Sequence, residues 1–161
     1  MRQKTLILGL GNTLLRDDGI GIYVVRAYKN KFGEKDGVKI LESNLAGLQL
    51  LDCIIGYDRV ILVDAIITGS KKPGSVHRFV LKNSKDAILG CSPHLTGVPS
   101  IMRLGKACGF AMPSVVEIFA VEVQTLYEFG EALTPALKRA LPKIVEKLHR
   151  EINKNVEVGN E

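Results

Sequence analysis

Apolar residues fall in two patterns along this chain. Thr5–Leu10 (TLILGL), Arg59–Ala65 (RVILVDA) and Ser114–Val121 (SVVEIFAV) are short and almost continuously apolar. That is the pattern of strands covered on both faces, as in a parallel sheet. Val38–Leu41 reads as a shorter second strand. Gly74–Leu81 (GSVHRFVL) alternates at Val76, Arg78 and Val80, which predicts a half-exposed edge strand. About eight residues separate it from the strand before, too few for a crossover helix, so it is predicted to run antiparallel to its predecessor.

Between these runs the spacing turns helical. The helix after Asp18 turns Ile22, Val25 and Ala27 inward and leaves Tyr23, Arg26 and Lys29 more polar surroundings. It closes near Lys31-Phe32-Gly33, with Gly33 as its C-terminal cap. Ala46–Ile54 is predicted helical, with Leu48, Leu51 and Cys53 or Ile54 in the core and Gly47 loosening its start. Lys82–Thr96 reads as a polar loop. Pro99 fits the first turn of a helix running to Cys108, with Ile101, Leu104 and Ala107 facing in. Thr134-Pro135 opens a last helix whose buried stripe is Leu137, Leu141, Ile144 and Leu148. Pro142 is predicted to kink it or loosen one turn.

The sum is an α/β fold: a three-layer α-β-α sandwich around a twisted, mostly parallel five-stranded sheet with one antiparallel strand. In a flavodoxin-like order the first and third strands are neighbours. Residues at their carboxyl ends then look into one crevice, where ligands bind in open α/β sheets.

The 161 residues suit one domain, 1–161, with 154–161 as a polar tail; a monomer is expected. Hydrophobic residues make up 46 %, enough for a sizeable core. Lys and Arg number 22 against 17 acidic residues, but the excess is dispersed and Trp is absent, so nucleic acid is not an expected partner. No apolar run approaches the roughly 20 residues that span a bilayer. Three cysteines, odd in number and without paired spacing, point to a reducing, cytoplasmic setting.

Chemistry concentrates in LILGLGNTLLRDDGIGI, residues 6–22. Gly9-Leu10-Gly11 begins a dinucleotide fingerprint, but Leu14 replaces its third glycine. Asp17 and Asp18 would also meet an anionic pyrophosphate, which argues against that reading. The chain has no G-x-S-x-G and no H-E-x-x-H. Cys91 and His94 are close enough in sequence to form a thiolate pair. Asp18, Asp64 and His94 form another candidate set: two carboxylates and an imidazole suit a borderline divalent ion such as nickel, zinc, manganese or iron. The competing reading makes the aspartates caps and His94 a loop residue. Asp17 is expected to cap the helix or support the site. His77 is expected to be structural or superficial, and His149 to be solvated or to complement a helix dipole.

GLGNTLLRDDGIGI, LVDAI, SPHLTG and TLYEFGEALTPALKRALP together resemble the hydrogenase maturation endopeptidases, over residues 6 to about 148. The resemblance implies a protease that removes a C-terminal extension from the large-subunit precursor of a nickel–iron hydrogenase after nickel insertion. It implies recognition through that substrate-borne nickel, an enzyme metal-free at rest, and Asp18, Asp64 and His94 as both metal ligands and catalytic groups. The alternative is a non-catalytic nickel-binding maturation factor, a metallochaperone. A flavin- or nucleotide-binding protein of similar topology is a third class.

Overall fold

The computed structural model describes residues 2–81 and 90–157, with side chains as far as residue 153. Five strands form one sheet: β1 (Thr5–Leu10), β2 (Val38–Ser43), β3 (Arg59–Ile66), β4 (Val76–Leu81) and β5 (Val115–Glu122). Four α-helices accompany them: α1 (Ile20–Phe32), α2 (Leu50–Ile54), α3 (Val98–Ala107) and α4 (Pro135–Glu157). Strand order is β2-β1-β3-β5-β4. The first four in that order are parallel, and β4 is antiparallel to β5 at the edge. The expected neighbours β1 and β3 are adjacent. The order departs from the all-parallel flavodoxin-like series at its end, where β5 enters between β3 and β4. The reason is burial: β5 is covered on both faces and takes an interior place, whereas alternating β4 is left at the margin.

The sheet separates two apolar layers. Ile7, Ile61, Val63, Phe119 and Val121 face α1 and α4, where they meet Val24, Val25, Leu137, Ile144 and Leu148. Leu6, Leu8, Leu62, Val116 and Ile118 face α2 and α3, against Leu51, Ile54, Ile101 and Met102. Alternation along each strand thus produces the three-layer sandwich. Among the described residues no helix is long and apolar enough to cross a membrane.

Glycine permits the closest approach of helix to sheet. A Cβ on Gly9 would stand 2.6 Å from the Gly21 carbonyl oxygen of α1, so the first turn of α1 rests directly on β1. Gly11 has φ +147, and a side chain there would overlap the Asp18 carbonyl. Both keep the loop after β1 tight against the start of α1.

Several helix faces differ from expectation. Gly33 caps α1 as predicted, with φ +69 and its N–H on the Lys29 carbonyl. The predicted Ala46–Ile54 helix is instead a 3-10 turn, Gly47–Gln49, followed by the short α2. Gly47 has φ +60 and the turn is tighter, so Leu48 swings out and is 61 % exposed while Leu51 and Ile54 stay inside. In α3 the buried face is Val98, Ile101, Met102 and Gly105, which leaves Leu104 and Ala107 outside. α4 runs as one helix through Pro142 and continues to Glu157, past the expected start of the polar tail. The remainder of that tail, 158–161, and residues 82–89 of the predicted polar loop lie outside the described residues.

Candidate active site

The carboxyl ends of β1 and β3, with the segment that leads into α3, bring the chemistry to one edge. β1 ends at Leu10, and a 3-10 turn, Arg16–Gly19, carries Asp17 and Asp18 back over the sheet before α1 starts. β3 carries Asp64 near its carboxyl end. The segment holding His94 is fastened there by a bridge between Ile67, just beyond β3, and Cys91. The three residues predicted from the sequence are all buried: Asp64 0 %, Asp18 3 % and His94 7 % exposed.

His94 Nε2 lies 3.6 Å from Asp18 Oδ2. The same Oδ2 accepts the Asn12 N–H at 2.8 Å, which fixes the carboxylate. His94 Nδ1 is 3.1 Å from the Leu45 carbonyl oxygen. A carbonyl can only accept, so Nδ1 carries the proton, and in the neutral ring the Nε2 lone pair faces Asp18. Burial alone would lower the imidazole pKa; the Asp18 carboxylate 3.6 Å away and the charge of Asp64 favour the protonated ring, outweigh burial and hold it at about 9. Asp64 accepts the Ser92 hydroxyl at 2.6 Å and the Ala65 N–H at 2.8 Å. Burial raises its carboxyl to about 7, against the lowering influence of His94 and of these two bonds; Asp18 adds to the rise.

Asp18 and His94 are therefore in direct contact, and Asp64 is coupled to both through charge. Among the described residues no three His, Cys, Asp or Glu side chains form a ready-made metal cluster. Two surface clefts of about 400 Å³ lie elsewhere, and neither is lined by these three residues.

The other candidates have different duties. Asp17 does not cap its own turn. It reaches to the far end of the sequence, accepting the Thr134 N–H at 2.8 Å and the Thr134 hydroxyl at 2.7 Å, and so ties the start of α4 to the loop after β1. Cys91 is exposed, and both His94 nitrogens face other partners. His77 is held by Glu122 at 2.6 Å, a structural place as expected. His149 is half-buried rather than free in solvent: it stacks on Phe32 with centroids 3.7 Å apart and contacts Tyr28 and Asn153. Two contributors were not singled out by sequence reasoning. Ser92 is buried between the Asp64 carboxylate and the Leu95 N–H, which its Oγ accepts at 3.3 Å. Asn12 supplies the N–H on Asp18 and forms an Asx turn with Leu14. Their only signal was adjacency, Ser92 to the S-P-H motif and Asn12 to the glycine turn.

The α/β sheet thus places the Asp18–His94 contact and the buried Asp64 at the carboxyl ends of its strands, and comparison with known proteins assigns the chain to a class of hydrolases, the maturation proteases. Residues 22–151 match the HycI family of hydrogenase maturation proteases, a span holding Asp64 and His94 and beginning just after Asp18. The chain belongs to the hydrogenase maturation protease family and is an endopeptidase. It is 28 % identical over 148 residues to the hydrogenase 2 maturation protease of Escherichia coli (strain K12), covering 90 % of this chain and 88 % of that one. Its fold is similar to the hydrogenase maturating endopeptidase HybD from E. coli, with a TM-score of 0.78 and 26 % identity over 95 % of this chain and 94 % of that one. It is also similar to the NiFe hydrogenase maturation protease HybD from Thermococcus kodakarensis, with a TM-score of 0.68 and 25 % identity over 92 % and 98 % of the two chains.

Proposed function

We propose that this protease removes the C-terminal extension of a nickel–iron hydrogenase large-subunit precursor, and that it recognises the precursor by the nickel already inserted there. The observation that carries the reading is the Asp18–His94 contact at the sheet edge, with Asp64 charge-coupled to both. Two carboxylates and one imidazole are acceptable ligands for a borderline divalent ion, but without a thiolate they hold nickel loosely. Nickel that arrives on the substrate's own ligands can take its missing oxygen and nitrogen donors from Asp18, Asp64 and His94. A precursor without nickel lacks that anchor.

The chain's own groups are suited to this. The Leu45 carbonyl holds the His94 ring so that Nε2 is presented to the edge, and the Asn12 N–H holds Asp18 in line with it. The substrate ion polarises the scissile carbonyl or the attacking water, a Lewis-acid effect of several kcal/mol. Asp64, with a carboxyl poised at about 7 before the ion arrives, accepts the proton of the attacking water. The positive ion then favours its ionised form.

The test offers the purified protein nickel-loaded and nickel-free precursor and follows the loss of the extension by mass spectrometry. Cleavage of the loaded form alone is expected. Equal cleavage of both discards the anchor. Tight nickel binding by the isolated protein with no shortening of either precursor favours the metallochaperone.

A further inference from the structure

Four large apolar side chains among the described residues are more than half exposed: Phe129 at 85 %, Tyr127 at 71 %, Leu48 at 61 % and Leu14 at 56 %. All four lie on loops that leave the carboxyl ends of parallel strands: Leu14 after β1, Leu48 after β2, Tyr127 and Phe129 after β5. The less exposed Phe110 (47 %) and Leu104 (43 %) are in or after α3, ahead of β5. Solvated apolar side chains scattered singly need no explanation; their concentration around one edge does.

These residues flank the Asp18–His94 contact. On one side the Leu14–Arg16 backbone is bonded to Gly130: the Arg16 N–H reaches the Gly130 carbonyl at 2.8 Å, and the Gly130 N–H reaches the Leu14 carbonyl at 2.9 Å. Arg16 also pairs with Glu128, between Tyr127 and Phe129. Leu14, Tyr127 and Phe129 thus belong to one cross-braced pair of loops, and the Asp17–Thr134 bonds brace that pair again. On the other side Leu48 projects from the 3-10 turn three residues beyond Leu45, whose carbonyl holds His94. The left-handed Gly47 that turns Leu48 out of the core places it on this lip.

We propose that these two lips are the docking surface for the client polypeptide, gripping apolar residues of the precursor on either side of the point where its metal meets Asp18 and His94. The occupant follows from position. A metal carried by a protein can reach a buried histidine and carboxylate at this edge only if its flanking chain lies across the edge, and the chain must then cover Leu14, Phe129 and Leu48. The surface is an apolar clamp for an extended segment, with aromatic anchors of the sort that dominate interface energies. This rests on the substrate reading above.

The experiment uses nickel-loaded precursor and steady-state cleavage by the full chain. Tyr127→Ser/Phe129→Ser and, separately, Leu48→Ser are expected to raise KM about tenfold or more with kcat retained. Phe110→Ser, an exposed aromatic away from that edge, is the control and keeps the wild-type KM. A matching rise in Kd for uncleaved precursor, measured by surface plasmon resonance on the His94→Ala protein with and without the lip substitutions, supports docking independently of turnover. If all lip variants keep wild-type KM and Kd, the docking surface is refuted while the protease reading stands. If wild type binds precursor through these residues but cleaves none, the protease reading fails and the surface survives. If wild type is a dimer that the same substitutions dissociate, with KM unchanged, a second copy covers the lips and the proposal is overturned.

Discussion

Two buried carboxylates on adjacent strands, Asp64 on β3 and Glu117 on β5, show opposite behaviour. Glu117 is 4 % exposed and Asp64 0 %, so burial alone would raise both. Glu117 is nevertheless held below the usual carboxylate range, because burial is outweighed by hydrogen bonds from the Arg59 and Arg78 guanidiniums and by their charge. Asp64 has a hydroxyl, one backbone N–H and an imidazole acting at a distance, and burial wins, raising it to about 7. Glu117 pairs in register with Ile61, well before the carboxyl end of β3, whereas Asp64 lies two residues from the end of that strand. The difference separates structure from chemistry. A carboxylate with two guanidiniums is locked in its charge, while one left to a hydroxyl and an amide can take or give a proton near neutral pH.

The largest expected effects fall on activity at the poorly compensated site. Asp18→Asn, Asp64→Asn and His94→Ala are each expected to abolish precursor processing, read as retention of the C-terminal extension in the intact mass, while circular dichroism shows a folded chain. A fully active His94→Ala protein removes that residue from the site.

Stability sharpens the contrast, and the two carboxylates are expected to move in different directions. Glu117→Gln leaves the buried Arg59 without its charge partner, in a place where one Arg59 nitrogen, Nη2, already has no hydrogen bond among the described residues. Breaking a buried pair of this kind costs about 3–5 kcal/mol, measurable by urea unfolding. Asp64→Asn at pH 8 is expected to stabilise the metal-free protein, because a neutral amide replaces a carboxylate that is ionised and buried there. Ser92 can reverse its hydroxyl to accept from the new amide. Destabilisation of several kcal/mol by Asp64→Asn would mean that the two sites are compensated alike.

The pH dependence follows with its sign. The folded-state pKa of Asp64 is raised, so its stability contribution is complete below the ordinary carboxylate value of about 4 and is lost as pH rises through about 7. That of His94 is also raised, so its contribution is complete below about 6.5 and is lost as pH rises through about 9. That of Glu117 is lowered, so its contribution is present above about 4 and is lost as pH falls through the folded-state value. Unfolding free energy of the metal-free protein is therefore expected to peak in mildly acid solution. Asp64→Asn should flatten the alkaline side between about pH 4 and 7, and Glu117→Gln the acid side. A wild-type curve that climbs from pH 5 to 8 contradicts the assignment of Asp64.

Much of this architecture is legible in the sequence because each strand is covered on both faces, or on one, and its apolar pattern records which. The alternation in β4 and the continuity in β5 even contain the departure in strand order. Helix faces are less legible. Leu48 and Leu104 are turned out by a 3-10 start and a rotated face, choices that depend on tertiary packing and not on spacing. The aspartate–histidine pair was legible from residue type and from motif resemblance. The Asp17–Thr134 clamp was not, because its partners are 117 residues apart and no local pattern joins them. The stacking of His149 on Phe32 was hidden for the same reason.

Ser92 gives the smallest and most selective test. Its hydroxyl is one of two hydrogen bonds that lower Asp64 against burial. Ser92→Ala removes that bond and changes no charge, leaving one carboxylate oxygen to a methyl group. The loss is expected to cost about 1–2 kcal/mol in unfolding free energy above pH 7, where Asp64 is ionised, and less below it. The midpoint of Asp64 itself, followed by carboxyl NMR in the metal-free protein, should move further up. Glu117, with its guanidiniums intact, should not move. A Ser92→Ala protein in which the Asp64 midpoint falls would show that the hydroxyl stabilises the protonated acid, and the order of forces assigned to this carboxylate would have to be reversed.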